Sequence, residues 1–188
     1  RFEGNTLDMG VPDMSVLQAV AAGVKSLVIG VAPAGGAVDD RWLTVLTEAA
    51  AAGLDVVSGM HTPLEAFADV VEAAKASGAA LTNVRTPPAE LPIGKGVKRS
   101  GKRVLTVGTD CAVGKKYTAL ALTKSLNELG VNATFRATGQ TGIMIAGSGI
   151  PIDAVVSDFV AGAAEWVSPD NDGDHWDVIE GQGSLFNP

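Results

Sequence analysis

Residues 104–118 read VLTVGTDCAVGKKYT. A short apolar run leads into a loop opened by Gly108 and closed by Gly114, with Lys115 directly behind it and a helix-forming stretch beyond. Glycines let such a loop curl until successive N–H groups point inward. The positive end of a helix and a lysine ammonium strengthen that field, and the whole binds phosphate. Gly108, Thr109, Asp110, Cys111, Ala112, Val113, Gly114, Lys115, Lys116 and Tyr117 are therefore the candidate binding residues. The loop departs from the common pattern G-x-x-x-x-G-K-[ST], in which the hydroxyl after the lysine serves Mg²⁺. Here five residues separate the glycines, and Lys116 stands where the hydroxyl belongs. Thr118, two positions on, lies about 200° further round a helix and cannot replace it. A second ammonium in place of a metal ligand points to a loop that holds a pyrophosphate without metal and need not cleave it.

Two other strand ends carry polar groups. In VIEGQGS, residues 178–184, Glu180 ends an apolar run just before a glycine turn. A carboxylate there, on a strand beside the phosphate loop, either works as a base or metal ligand or caps the turn. In FRATGQTG, residues 135–142, Arg136 is placed to fork a carboxylate or to pair with a neighbouring acid. Thr138, Gln140 and Thr141 follow it in what reads as a flexible turn, and Gln182 follows Glu180. These are the candidate substrate contacts. His61 and His175 read as local structure. The acidic stretch 170–174 lacks the glycine and glutamate positions of a calcium loop and reads as a polar turn. Cys111 sits among loop N–H groups that favour a thiolate, but no histidine adjoins it in sequence.

The elements that must position these groups alternate. Residues 26–31 (SLVIGV), 54–58 and 79–84 are short buried strands. Helices lie between and before them: one capped by Asp13 and running to about Ala22, one capped by Asp39 or Asp40 and stopped by Gly53, and one opened by Thr62 and Pro63 and stopped by Gly78. A second series gives strands at 104–107, 132–136 and 176–180, with helices from Gly114 to about Leu129 and over 152–166. Strand–helix–strand at this spacing means parallel strands with right-handed crossovers and a ligand edge at the strands' carboxyl ends. On that edge fall Pro33-Ala34-Gly35-Gly36, Gly59-Met60-His61 and Arg85. The expected fold is α/β: a Rossmann-like parallel-sheet domain with its linker over residues 1–98, then a P-loop-type α/β domain over 99–188. The linker, residues 86–101, is rich in Pro, Gly and basic side chains and reads as solvated or as a basic flap beside an anion site.

Composition sets the outer limits. The chain has 188 residues, a net charge of −7 and 46% apolar residues. That charge argues against a general affinity for nucleic acid or acidic membranes. A single cysteine makes an internal disulfide framework or thiolate zinc site impossible. No apolar run reaches the roughly 20 residues of a membrane span, so a cytoplasmic protein is expected. Helices rich in Ala and Val point to a homo-oligomer. Arg1 at the start, and an end just after a strand and a Gly-rich turn, read as those of a fragment.

The Gly-Thr-Asp-x-x-Val-Gly-Lys string with a later Val-Ile-Glu-Gly resembles dethiobiotin synthetase, whose loop binds ATP and carries Thr after the lysine. A closer resemblance is to the D-glutamate N-acetyltransferases. It is carried by GTDCAVGKKYTALAL, FRATGQTGI, DAVVSDF, HWDVIEGQGSLF, LVIGVAPAGG and GLDVVSGMH, which together span most of the chain. That resemblance implies acetyl-CoA as donor, D-glutamate or a similar acidic amino acid as acceptor, and no required metal. It also implies further sequence at both ends and a His-Pro where this chain has Asn187-Pro188. Read with it, Lys115 and the loop amides hold the CoA pyrophosphate. Lys116 steadies the thioester oxyanion or a substrate carboxylate, Arg136 forks the acceptor's other carboxylate, and Glu180, or failing it Asp110, takes the amine's proton. An ATP- and Mg²⁺-dependent ligase of the dethiobiotin synthetase type, or a nucleotide-binding module without turnover, remains the alternative.

Overall fold

The computed structural model describes residues 10–31 and 38–185. The segment Pro33-Ala34-Gly35-Gly36 and the pair Asn187-Pro188 lie outside them. Contacts divide the chain into two units, the first comprising Arg1–Ser58 and Thr62–Thr82, the second Gly59–His61 and Asn83–Pro188.

The first unit has a three-stranded sheet in the order β1 (Ser26–Val28), β2 (Asp55–Ser58), β3 (Leu81–Asn83), with β1 and β2 parallel. Its helices are α1 (Val16–Ala21), α2 (Asp40–Ala51) and α3 (Ala68–Ser77). Asp39 caps α2 by accepting the Arg41 N–H at 2.8 Å. The cap of α1 is Ser15, not Asp13, because Ser15 and Gln18 close a reciprocal capping box. The helix expected from Thr62 to Gly78 is interrupted: a 3₁₀ turn at Leu64–Ala66 ends at Phe67, which is extended, before α3 begins. Leu46, Ala49, Ala50, Val56, Leu64, Val70 and Ala74 form the buried core. Small residues let α2 and α3 approach closely, and Ser77 Oγ donates to the Ala50 carbonyl at 2.6 Å.

In the second unit β4 (Lys102–Leu105), β5 (Ala133–Arg136) and β6 (Trp176–Ile179) form a parallel sheet in the order β4-β6-β5. The strand latest in sequence therefore lies in the middle. Helix α4 (Lys115–Glu128) lays Ala119, Leu122 and Leu126 on this sheet against Ala133, Val178, Phe135 and Trp176, a stripe at helical spacing. Two helices complete the unit, α5 (Gln140–Ala146) and α6 (Val160–Val167). The long helix expected over 152–166 resolves into two 3₁₀ turns, Ile152–Ala154 and Ser157–Phe159, ahead of α6. Val155 and Val156 between them are β-branched and extended or nearly so.

Residues 86–101 have no regular structure, yet they are not a free linker. The N–H groups of Lys95 and Gly96 donate to the Glu165 carboxylate at 2.8–3.0 Å. Arg99 donates to the carbonyls of Ala164 and Ser168 at the end of α6, and Ser100 donates to Asp170 Oδ1 through both N–H and hydroxyl. Arg103 Nη2 reaches the Pro169 carbonyl at 2.6 Å. The basic residues expected to face solvent or an anion thus include Arg99, which satisfies the carbonyl end of a helix.

Candidate functional site

The loop between β4 and α4 is bent by Ala112, in the left-handed region at φ 57°, and by Gly114, the N-cap of α4, at φ 102°. Helix α4 has no side-chain cap and no acidic residue in its first turn, so its first N–H groups and dipole are left for an anion. Lys115 Nζ donates to the Asp110 carbonyl at 2.7 Å and the Gly183 carbonyl at 2.9 Å, tying the loop to the segment after β6. Lys116 Nζ stands 4.4 Å from the centre of the Tyr117 ring. Asp110 is exposed, and its Oδ1 accepts the Cys111 N–H at 2.6 Å and the Ser184 hydroxyl at 3.0 Å. It shapes the loop and does not line the cleft described next.

Glu180 follows the central strand and is only 5% exposed. Its Oε2 accepts the N–H groups of Thr138 and Gly139 at 3.0 and 3.1 Å, which caps the start of α5. The Thr138 hydroxyl donates to the Glu180 carbonyl at 2.6 Å and accepts from Gln182 Nε2 at 3.1 Å. Gln140, Thr141, Glu180 and Gln182 thereby face Cys111, Ala112, Gly114, Lys115, Lys116 and Tyr117 across a cleft of about 380 Å³. That volume lies in the range of small-ligand sites. Two ammonium groups stand on one wall, with a carboxylate and three polar uncharged side chains on the other.

Models of two domains match the chain end to end: a Rossmann-like domain of unknown function, DUF1611 N-terminal, over residues 1–87, and a P-loop domain of unknown function, DUF1611 C-terminal, over residues 92–188. The chain belongs to the DUF1611 family.

The α/β fold, Rossmann-like and then P-loop, is that of the family. Similar curated relatives are a D-glutamate N-acetyltransferase of Tritonibacter scottomollicae, 53% identical over 96% of this chain and 54% of its own length, and one of a Pseudoalteromonas species, 47% identical over 98% and 56%. A crystal structure of a DUF1611 family protein from Anabaena variabilis is 42% identical, with a TM-score of 0.79, over 93% of this chain and 51% of that one. The chain thus spans about half the length of the relatives it matches. Among the described residues no helix is long and apolar enough to cross a membrane.

Three expectations for the site residues of this DUF1611 chain need correction. Arg136 does not line the cleft. Its Nε donates to Asp177 Oδ1 at 2.7 Å, and Asp177, on β6, has no exposed surface. A buried carboxylate needs charge and hydrogen bonds, and Asp177 takes them from Arg136, from the Ser168 hydroxyl at 2.6 Å and from Asn171 Nδ2 at 2.9 Å. His175 Nε2 lies 3.4 Å from the same carboxylate. Residues 139–142 are not a flexible turn; they open α5, with Gly139 as N-cap. Thr138 stands behind this wall, 4% exposed, and supports Gln182 rather than reaching the cleft.

Sequence reasoning missed Gly139, Gly181 and Gly183, which also line the cleft, and Thr106. The Thr106 hydroxyl accepts the Gly181 N–H at 3.1 Å, and a side chain at position 181 would overlap the Thr106 carbonyl oxygen. The glycine after Glu180 was the available signal: the backbones following β4 and β6 approach too closely there for any Cβ.

Proposed function

We propose that the protein transfers the acetyl group of acetyl-CoA to the amine of D-glutamate or a similar acidic amino acid. The observation that carries this reading is the pair Lys115 and Lys116 at the uncapped start of α4, opening on the same cleft as Glu180. The residues fit a diphosphate: loop N–H groups, a helix dipole and two ammonium groups oppose its charge, and no hydroxyl follows Lys115 to hold a metal. The names of the two curated relatives support the acetyl group and the acceptor.

In the reaction the amine nitrogen bonds to the thioester carbonyl carbon, the C–S bond breaks, CoA leaves as the thiol, and one proton is released net. The ammonium must first lose a proton. Glu180 is the carboxylate of the cleft. With Oε2 fixed by two N–H groups, its other oxygen, Oε1, is the one that receives the proton.

The test is an assay of the full-length protein with acetyl-CoA and D- or L-glutamate, following thiol release and the N-acetyl product by mass spectrometry. D-Glutamate gives both without Mg²⁺. Lys115→Ala raises the KM for acetyl-CoA about 10- to 100-fold, the scale of a hydrogen bond to a charged group. Glu180→Gln keeps an oxygen for the Thr138 and Gly139 N–H groups but lowers kcat. Magnesium-dependent ADP release with a carboxylic acid, and no thiol release, would replace this reading with the ligase.

A further inference from the structure

Lys115 and Lys116 bring two like charges to one helix end, and each is held differently. Lys115 is fixed by the two carbonyls of Asp110 and Gly183. Lys116 makes no ion pair among the described residues, and the first turn of α4 offers no acid. What holds its ammonium is the Tyr117 ring, 4.4 Å away. Side chains of adjacent helical residues diverge by about 100° and do not face each other. The backbone therefore does not impose this contact; the attraction between a cation and the negative face of the ring selects it. Both residues line the phosphate cleft, and Tyr117 is 67% exposed, so little apolar packing explains why an aromatic residue stands there.

We propose that Tyr117 is a positioning residue: its ring keeps the Lys116 ammonium over the cleft, ready for a diphosphate-bearing ligand. Without the ring the flexible lysine stem swings outward, away from Lys115, and its charge is spent on water. The proposal rests on the anion-binding part of the reading above and not on the identity of the acceptor.

The experiment is calorimetric titration of the protein with CoA and, separately, with inorganic pyrophosphate, both without Mg²⁺. Tyr117→Leu is expected to weaken both affinities about two- to fivefold, the scale of an exposed cation–π contact. Tyr117→Phe, which keeps the ring face, retains them, and thermal melts of both variants match the parent. In a Lys116→Met background, Tyr117→Leu has no further effect, as a double-mutant cycle requires of two groups that act through each other. Equal losses in the two backgrounds, unchanged binding in Tyr117→Leu, or Tyr117→Phe behaving like Tyr117→Leu would each overturn the proposal. A protein that binds neither probe overturns it together with the phosphate-site reading. One that shows the coupling but acetylates no amino acid supports the role of Tyr117 and defeats only the acetyl-transfer reading.

Discussion

Glu180 and Gly142 are in such close contact that a side chain on Gly142 would overlap Glu180 Oε2. The oxygen concerned is the one that accepts the Thr138 and Gly139 N–H groups. Gly142→Ala therefore forces the carboxylate off its two donors or pushes α5 outward. The expected result is a stability loss of about 1–3 kcal/mol, the usual cost of overpacking, read by urea denaturation. Ligand affinity should fall as well, because Gln140 and Thr141 move with α5.

Arg136 and Asp177 supply a second test. Breaking a buried pair from one side strands the other charge, at about 3–5 kcal/mol when burial is complete. Arg136 keeps 23% of its side chain exposed, so Arg136→Met is expected to cost less, roughly 2 kcal/mol. The KM for the acceptor should be unchanged in the fraction that remains folded. A large rise in acceptor KM with full stability would restore Arg136 to the site.

The strap of residues 95–100 on α6 is sensitive to acid. The N–H groups of Lys95 and Gly96 hold the Glu165 carboxyl below its ordinary value of 4.5, and the Ser100 N–H and hydroxyl hold Asp170 below 3.8. Groups whose folded values are depressed contribute above the unfolded value and lose that contribution as pH falls through the folded one. The strap is therefore fully fastened at neutral pH and loosens below about pH 4.5, the ordinary glutamate range. Amide NMR shifts of Lys95 and Gly96 should titrate with a midpoint under that value, and Glu165→Gln should abolish the titration.

Gly181→Ala, in the segment after β6, should be more disruptive than Gly142→Ala, because its Cβ meets a backbone oxygen, that of Thr106, rather than a side-chain end that can turn away. The expected outcome is a lower melting temperature and no measurable CoA binding. A variant as stable and active as the parent would show that the strand ends separate more easily than the Thr106–Gly181 hydrogen bond implies.

The phosphate loop could be read from the sequence because its chemistry is local: glycines, a lysine and a helix start within ten residues. Helix α5 could not. Its glycines and threonines read as a turn, and its cap comes from Glu180, far along the chain. The docking of residues 95–100 was hidden in the same way, since the acids and carbonyls that receive Lys95, Gly96, Arg99 and Ser100 lie 65–70 positions on. Arg136 offered two kinds of partner until the register of β5 and β6, which sets it opposite Ile179, put it on one face with Asp177, a diagonal step away.

The order β4-β6-β5 also dictates when the second unit can form. As the chain leaves the ribosome, β4, α4 and β5 emerge first, but β4 and β5 are not neighbours and have no ladder to share. Every strand-to-strand hydrogen bond of this sheet waits for residues 176–179. Such non-local pairing is slow and leaves unpaired strand edges exposed to other nascent chains. The phosphate loop waits too, for its ties to Gly183 and, through Thr106, to Gly181 come from the segment that follows β6. Synthesis interrupted between α4 and β6 would release a chain with both lysines of the loop in place and no site to hold them.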